Sequence, residues 1–539
     1  MKIEIYDTTL RDGAQGAGVQ FTVSDRIKII HALDSLGVTY IEAGNIDAGE
    51  DELFSCAEEL ELRNAHLVVF GSTRHPGVLP EDDKGLNSLA GCAAEYCAVF
   101  GKCWEFQTEK VLETTPEENI SMVYDSVKYL TDRGKKVQFD AEHFFDGYSD
   151  NPAYAMKIIE TAVAAGAERV VLCDTNGGMV PDVVGMTVSA VREAFPDLKI
   201  GIHCHNDLGM AVACTVSAVI SGASQIQGTV SGIGERCGNA NLNTLIPLLQ
   251  LKLGYECVSK EQLRSLTSTV RHICEITNRD FDEHEPFVGG YAFSHKAGMH
   301  IDGVRKSPKA FEHTSPDSVG NERNILVSRL SGRAALTSKM CSIIPGITKD
   351  SPEVADALDA VKRYEDEGFQ FEGAEASLML ILLESLKLSS RHFTLKTFKV
   401  IISEPHTLKS GSLCSALVKV AVGDSEEITA AEGVGPVNAL DLALRRALTG
   451  FYPSLSSVKL TDYKVRVFES DNATASRVRV FIESTDGSHV WRTTGVSADI
   501  IDASWQALRD SVEYKLTFDE GKYLQDMEKY DGDHSCPAR

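Results

Sequence analysis

Eight short β-like runs recur along the first half of the chain, separated by helix-like stretches. The runs are 3–7, 38–43, 65–71, 95–101, 136–141, 169–174, 198–203 and 224–229. Apolar residues at helical spacing fill the gaps, as at 24–36, 116–133, 151–165 and 181–195. Glycine ends helices just ahead of the next strand, as in Leu36-Gly37-Val38 and Ala165-Gly166-Ala167, where it can take the left-handed conformation. Strand–helix alternation repeated eight times over about 250 residues predicts an α/β (β/α)8 barrel, with a doubly wound open sheet as the structural alternative. A barrel makes a sharp demand: functional side chains belong at the C-terminal ends of strands. The polar clusters fall there. Asp7-Thr8-Thr9-Leu10-Arg11-Asp12-Gly13 follows the first run, Glu142-His143 the fifth, and Asp174-Thr175-Asn176-Gly177-Gly178 the sixth. His203-Cys204-His205-Asn206-Asp207 closes the seventh, and 232–239 follows the eighth.

Residues two apart on a strand point to the same side, so His203 and His205 set two imidazoles together. An isolated pair of this kind is equally the mark of two histidines satisfied by hydrogen bonds. Asp12 is a candidate third, anionic ligand. Arg11 can stabilise an oxyanion through its charged fork, although Arg11-Asp12 alone also reads as a surface ion pair. The segment 232–240 is too glycine-dense for an ordinary helix start and lets backbone approach a ligand closely; Asn239 within it can offer a carbonyl oxygen. A phosphate-gripping loop is the rival reading, but there is no G-K-[ST]. Asp, Asn and two His make a mixed nitrogen and oxygen set suited to a divalent ion such as Mn2+, Mg2+ or Zn2+ with open positions. A keto acid could chelate there and have its carbonyl polarised. Glu142 is a candidate base or a buried ion pair. His300, at the end of the glycine-rich stretch 286–300, is a base, a partner to one, or a satisfied loop histidine. Cys204 and Cys237 read as small packing residues, since a thiol nucleophile needs its own base.

Beyond the barrel the pattern changes. A helical stretch covers 258–279, and a mostly helical connection covers 305–390, with Tyr364-Glu365-Asp366-Glu367 expected on a solvated face. Strand-like runs follow at 393–403, 415–422, 458–467 and 477–483, and helices at 436–445 and 498–508. Gly433-Val434 and Gly495-Val496 precede the two helices in the same register. The expectation is an α+β domain duplicated as strand, strand, helix. The boundaries expected are 1–275 for the barrel, 276–390 for a linker completing the active site and 391–525 for the duplicated domain, with a frayed polar tail at 526–539. Net charge is −25, which disfavours nucleic acid and anionic membrane surfaces as partners. No apolar run is long enough for a transmembrane helix. The opening Met1–Asp7 meets acidic residues at once, unlike a secretory signal. Thirteen scattered cysteines without C-x-x-C suit reduced thiols in the cytoplasm.

These motifs resemble the aldol/Claisen metalloenzymes that open with D-T-T-L-R-D-G, of the DRE-TIM metallolyase type. Within them the chain resembles the family of 2-isopropylmalate, homocitrate and citramalate synthases. The likeness is carried by 7–15, 203–207, 232–240, 293–300 and the duplicated C-terminal domain, and 140–148, 172–178 and 431–441 place it nearest the citramalate type. The resemblance implies a divalent metal on Asp12, His203, His205 and Asn239. It implies substrate contacts from Arg11, Gln15 and Thr175, with Arg11 at the keto-acid oxygen and Thr175 at its carboxylate. Glu142, with His300, would help form the enolate of acetyl-CoA. The reaction implied is an acyltransferase condensation of acetyl-CoA with pyruvate to (R)-citramalate in isoleucine biosynthesis, or the same reaction on another 2-oxo acid. The C-terminal domain would form a homodimer and bind isoleucine or leucine as feedback effector. An aldolase or lyase on the same barrel and a non-catalytic amino-acid sensor are the alternatives. Three stretches depart from the family pattern: 44–51 where G-W-P-G-S-N-P-K-D is expected, Gln107 in place of a histidine, and Ser231-Gly232-Ile233 in place of N-G-Y.

Overall fold

The structure is a computed structural model that describes residues 1–45, 54, 60–277, 279–326, 332–341, 343–344, 346–388, 391–403, 413–468 and 476–519. Two units form, Met1–Phe293 with Glu312–Asn324, and Ser294–Phe311 with the chain from Ile325 onward.

In the first unit eight strands close into a parallel barrel: β1 Glu4–Asp7, β2 Tyr40–Asn45, β3 His66–Ser72, β4 Tyr96–Lys102, β5 Lys136–Glu142, β6 Arg169–Asp174, β7 Lys199–Cys204 and β8 Gln225–Gly228. β1 pairs with both β2 and β8, which removes the open-sheet alternative. Each strand alternates two faces. Ile5, Ile41, Val69, Val99, Phe139, Leu172, Ile202 and Ile226 join the large core shared with the surrounding helices. The opposite face is unusually polar for a barrel interior: Tyr6, Glu42, Gln138, Asp140, His203, Gln225 and Gln227 are all buried. Gln225 Nε2 donates to Gln138 Oε1 at 3.0 Å, so this interior is cross-linked by side chains where aliphatic packing would be usual.

The helices begin where their caps dictate. Thr22 and Asp25 form a reciprocal capping box for Val23–Leu36, and Gly37 ends it in the left-handed conformation. Thr115 caps Pro116–Thr131 and Asn151 caps Pro152–Ala164. Each cap satisfies an amide that the first turn leaves without a partner.

The second unit holds the helices Gly298–Lys306, Gly332–Cys341, Pro352–Asp366 and Glu375–Ser385, around a core that includes Ile301, Leu336, Met340, Val361, Phe371 and Leu382. Asp366 and Glu367 are exposed as expected of the acidic run, while Tyr364 packs on Phe369 with ring centroids 5.2 Å apart. The duplication is present, with one strand more per repeat than the sequence showed. Thr394–Ser403, Leu413–Val422 and Ser425–Gly433 form one antiparallel sheet, followed by the helix Pro436–Thr449. Lys459–Phe468, Arg477–Thr485 and Val490–Ser497 form the other, followed by Ile500–Asp519. The third strands escaped detection for opposite reasons. Ser425–Gly433 is mostly exposed, with Ala431 alone buried. Val490–Ser497 is buried on both faces from Thr493 to Val496, so neither alternates. The repeated Gly-Val has a physical basis. A Cβ on Gly433 would sit 2.5 Å from Asn438 Oδ1, and one on Gly495 would sit 2.1 Å from the Ala503 carbonyl oxygen. Only glycine lets each helix press onto its sheet there.

No helix among the described residues is long and apolar enough to cross a membrane. Residues 46–51 of the departing loop and the tail 526–539 lie outside the described residues.

Candidate active site

The site is built on the C-terminal ends of the strands. At the end of β1 the buried Asp7 carboxylate accepts from the backbone N–H and the hydroxyl of Thr9, both at 2.9 Å. Thr9 Oγ1 in turn accepts from the Val230 N–H at 2.9 Å. This fixes the turn that carries Arg11 and Asp12. Burial pushes the Asp7 carboxyl up to about 7, against the two Thr9 bonds. On β7, His203 and the following His205 face the same way, with ring centroids 5.2 Å apart. His203 Nε2 lies 3.3 Å and His205 Nε2 3.6 Å from Asp12 Oδ2. All three residues are buried, and their ligand atoms lie within 4.8 Å of one another. His203 Nδ1 faces Gln227 Oε1 at 3.1 Å; an acceptor there orients the ring with Nδ1–H toward Gln227 and Nε2 toward Asp12.

Asn239 is brought beside His205 by a short antiparallel bridge. Its Nδ2 donates to the Ile233 carbonyl at 3.2 Å, which leaves Oδ1 pointing elsewhere. Gly234 permits this approach, since a Cβ there would lie 2.1 Å from Asn239 Nδ2. Asn239 Oδ1 and Asp12 Oδ1 are both buried with no hydrogen-bond partner. Oxygens buried in this way are costly unless something accepts their lone pairs. A divalent cation would do so, and the oxygen and imidazole donors suit one.

Charge is organised around the same point. Burial alone would raise the pKa of Asp12, but Arg11 and the His203 hydrogen bond outweigh it and hold the carboxyl well below the usual carboxylate range. Burial, with the neighbouring His203, brings His205 down to about 4, so its imidazole is neutral and able to ligate near neutral pH. Arg11 is gripped on three sides. Its Nε donates to Glu42 Oε2 at 2.6 Å, and one terminal nitrogen lies 3.3 Å from Asp12 Oδ2. Its guanidinium carbon sits 4.0 Å over the Phe70 ring. Glu42 also accepts from the Tyr6 hydroxyl at 2.8 Å. Glu142, at the end of β5, pairs with Lys102 at the end of β4, with 2.6 Å between Nζ and Oε2. Thr175 Oγ1 accepts from the His143 N–H at 2.9 Å, and its carbonyl accepts from Arg236 at 2.7 Å.

Residues 2–271 match the HMGL-like family, 287–368 the homocitrate synthase post-HMGL domain-like family, and 372–516 the LeuA allosteric (dimerisation) domain. The chain is 45% identical to the (R)-citramalate synthase of Aquifex aeolicus over 96% of its length and 98% of that protein. It is 44% identical to the (R)-citramalate synthase of Geobacter sulfurreducens over 95% of its length and 97% of that protein. Identity to a 2-isopropylmalate synthase of Sulfurisphaera tokodaii is 33%, over 72% of this chain and 97% of that protein.

The chain belongs to the HMGL-like family, in its citramalate synthase group.

Among the residues that the sequence singles out in this HMGL-like chain, Asp12, His203, His205, Asn239, Arg11, Thr175 and Glu142 lie in the barrel unit at strand ends or in the loops that follow them. His300 belongs to the other unit, where it is exposed and its ring meets Phe311 at 4.6 Å. Gln15 is exposed at the 3-10 turn after Asp12. Cys204 is buried, as expected of a packing residue, whereas Cys237 is exposed, against that expectation. Gln107, the residue standing for a histidine, places its Nε2 3.4 Å from His143 Nε2. Sequence reasoning passed over Glu42, Lys102 and Gln227. Glu42 left a usable signal: it is the sole acidic residue of the run 38–43, and a carboxylate inside a buried strand needs a cation to pair with.

Proposed function

We propose that the chain is a metal-dependent acyltransferase that condenses acetyl-CoA with pyruvate and water to give (R)-citramalate and CoA. The observation that carries this reading is the buried Asp12, His203 and His205 group beside a braced Arg11, in a chain whose full-length relatives at 40–45% identity are named (R)-citramalate synthases. Asp12, His203, His205 and the Asn239 amide oxygen would hold the cation, with Mn2+, Mg2+ and Zn2+ all compatible with that donor set. When bound, a divalent cation supplies Lewis acidity toward the ketone of a 2-oxo acid. Arg11 meets the oxygen where negative charge develops, in a buried setting where such charge stabilisation is strong. The Thr175 hydroxyl donates to the substrate carboxylate, and Gln15 flanks the approach. Glu142 takes a proton from the acetyl methyl group. The carbanion carbon bonds to the ketone carbon of pyruvate as the C=O π pair moves onto oxygen, which takes up a proton; water then adds at the thioester carbonyl, and the C–S bond breaks to release CoA as the thiol.

Purified protein given Mn2+, acetyl-CoA and a panel of 2-oxo acids is expected to release free thiol fastest with pyruvate. Faster release with a branched or dicarboxylic oxo acid would move the assignment to an isopropylmalate or homocitrate synthase. No release with any of them would end it. The C-terminal domain supports a second expectation: two copies pair through it, and an end-product amino acid acts there. Isoleucine is expected to slow thiol release more than leucine does, with the protein migrating as a dimer in light scattering. Equal rates with and without both amino acids would remove the feedback role.

A further inference from the structure

We propose that His143 is a positioning residue that acts through its backbone: its left-handed conformation turns the Thr175 hydroxyl into a hydrogen-bond donor aimed into the site. This rests on the reading of Thr175 as the contact for the oxo-acid carboxylate. The His143 N–H occupies an acceptor position on Thr175 Oγ1 at 2.9 Å. A hydroxyl that accepts from an amide still has its own proton to give. No acceptor for that proton is recorded among the described residues, and Thr175 is half-buried at the end of β6. Its proton is therefore available to an anionic oxygen arriving from the site, and hydrogen bonds to ionised oxygens are the strong ones.

The His143 N–H points at Thr175 because residue 143 sits at φ 55°, ψ 34° between β5 and the helix Phe144–Asp150. Few residues other than glycine accept that region, and histidine and asparagine do so better than most. The ring holds the turn in place. Nδ1 lies 3.3 Å from Asp146 Oδ2 and Nε2 lies 3.4 Å from Gln107 Nε2, so the Nδ1–H donates and Nε2 accepts. Asp146 also accepts from Asn176 Nδ2 at 3.0 Å, which ties the turn after β5 to the residue next to Thr175. From the other side Arg236 holds the Thr175 carbonyl while its Nε and Nη2 donate to Asp207 at 2.9 and 3.0 Å. Thr175 is thus fixed at its hydroxyl by the loop after β5 and at its carbonyl by the loop after β8. Gln107, in place of the expected histidine, is a part of this brace.

The test separates backbone from ring. His143→Gly, His143→Asn, His143→Ala and His143→Val are compared for KM toward pyruvate and for kcat, with melting temperature as a check on folding. A carboxylate contact is made in ground state and transition state alike, so its loss raises KM more than it lowers kcat. The expected order places Val highest, with KM up by about tenfold or more, the loss typical of a hydrogen bond to a charged group. Gly and Asn, which accept positive φ, are expected within about threefold of the parent. If the Val variant does not fold, the Ala and Gly pair decides: both lack the ring and only Gly adopts the conformation freely. Gly matching or exceeding Ala in KM overturns the inference. Thr175→Val run alongside distinguishes the two levels. If it raises KM while the His143 series does not, the backbone inference fails and the carboxylate contact stands. If Thr175→Val leaves KM unchanged, the reading of Thr175 itself is wrong.

Discussion

Replacing Asp12 with alanine is expected to strip the divalent metal from the purified protein and to lower kcat/KM by about a thousandfold or more, the scale of several kcal/mol that a metal Lewis acid supplies. The geometry makes Asp12 the centre of the donor set. Both imidazole Nε2 atoms approach one of its oxygens, at 3.3 and 3.6 Å, and the other oxygen is buried without a partner. It is also the donor of the group that brings a formal negative charge. Two neutral imidazoles and an amide oxygen alone bind hard divalent ions weakly. Metal content after dialysis, by elemental analysis, gives a readout independent of turnover. Asp12→Asn keeps the shape and removes the charge, and is expected to fall between the parent and Asp12→Ala in metal retention. Full metal stoichiometry in Asp12→Ala would show that the cation is held elsewhere.

Arg11→Lys should lower kcat about a hundredfold to a thousandfold, the usual loss when a donor to a developing oxyanion is removed, with kcat/KM falling in parallel. A lysine ammonium is a point charge on a flexible stem. It cannot fork to Glu42 and Asp12 together, nor stack its plane on Phe70. Glu42→Gln tests the brace itself. The amide keeps the volume but weakens a 2.6 Å charge-assisted contact and the acceptor of the Tyr6 hydroxyl. The expected loss is about tenfold to a hundredfold, smaller than for Arg11→Lys because the guanidinium still stands beside Asp12. Equal activity of parent and Glu42→Gln would show that Asp12 and Phe70 orient Arg11 unaided. A rise in KM alone in Arg11→Lys, with kcat unchanged, would place the arginine in ground-state binding rather than at the reacting oxygen.

Much of the candidate site was legible from ligand-type residues at or just after strand ends. His203 and His205 declare themselves by their spacing, Asp12 by following the first strand, and Asn239 by its glycine-dense loop. Glu42 was not legible in this way, because it lies inside a strand and is defined by what reaches it across the barrel: Tyr6 from the neighbouring strand and Arg11 from the turn after it. Lys102 and Glu142 meet for the same kind of reason, since the register of β4 on β5 sets them side by side. Ser425–Gly433 and Val490–Ser497 were missed because strand detection relies on one wet face and one dry one. The first has almost no dry face and the second almost no wet one.

The sequence by itself determined the barrel elements, their order and the family, because most helices and strands are written in local periodicities of 3.6 and 2 and in caps a few residues long. It also determined which strand ends are rich in ligating side chains. Only the tertiary structure decided that the strands close, which orphaned oxygens converge with the imidazoles, what braces Arg11, and that the His143 amide points at Thr175. Those facts depend on distances between residues tens to hundreds of positions apart. Such distances follow from barrel closure and loop conformation, and no local pattern encodes them.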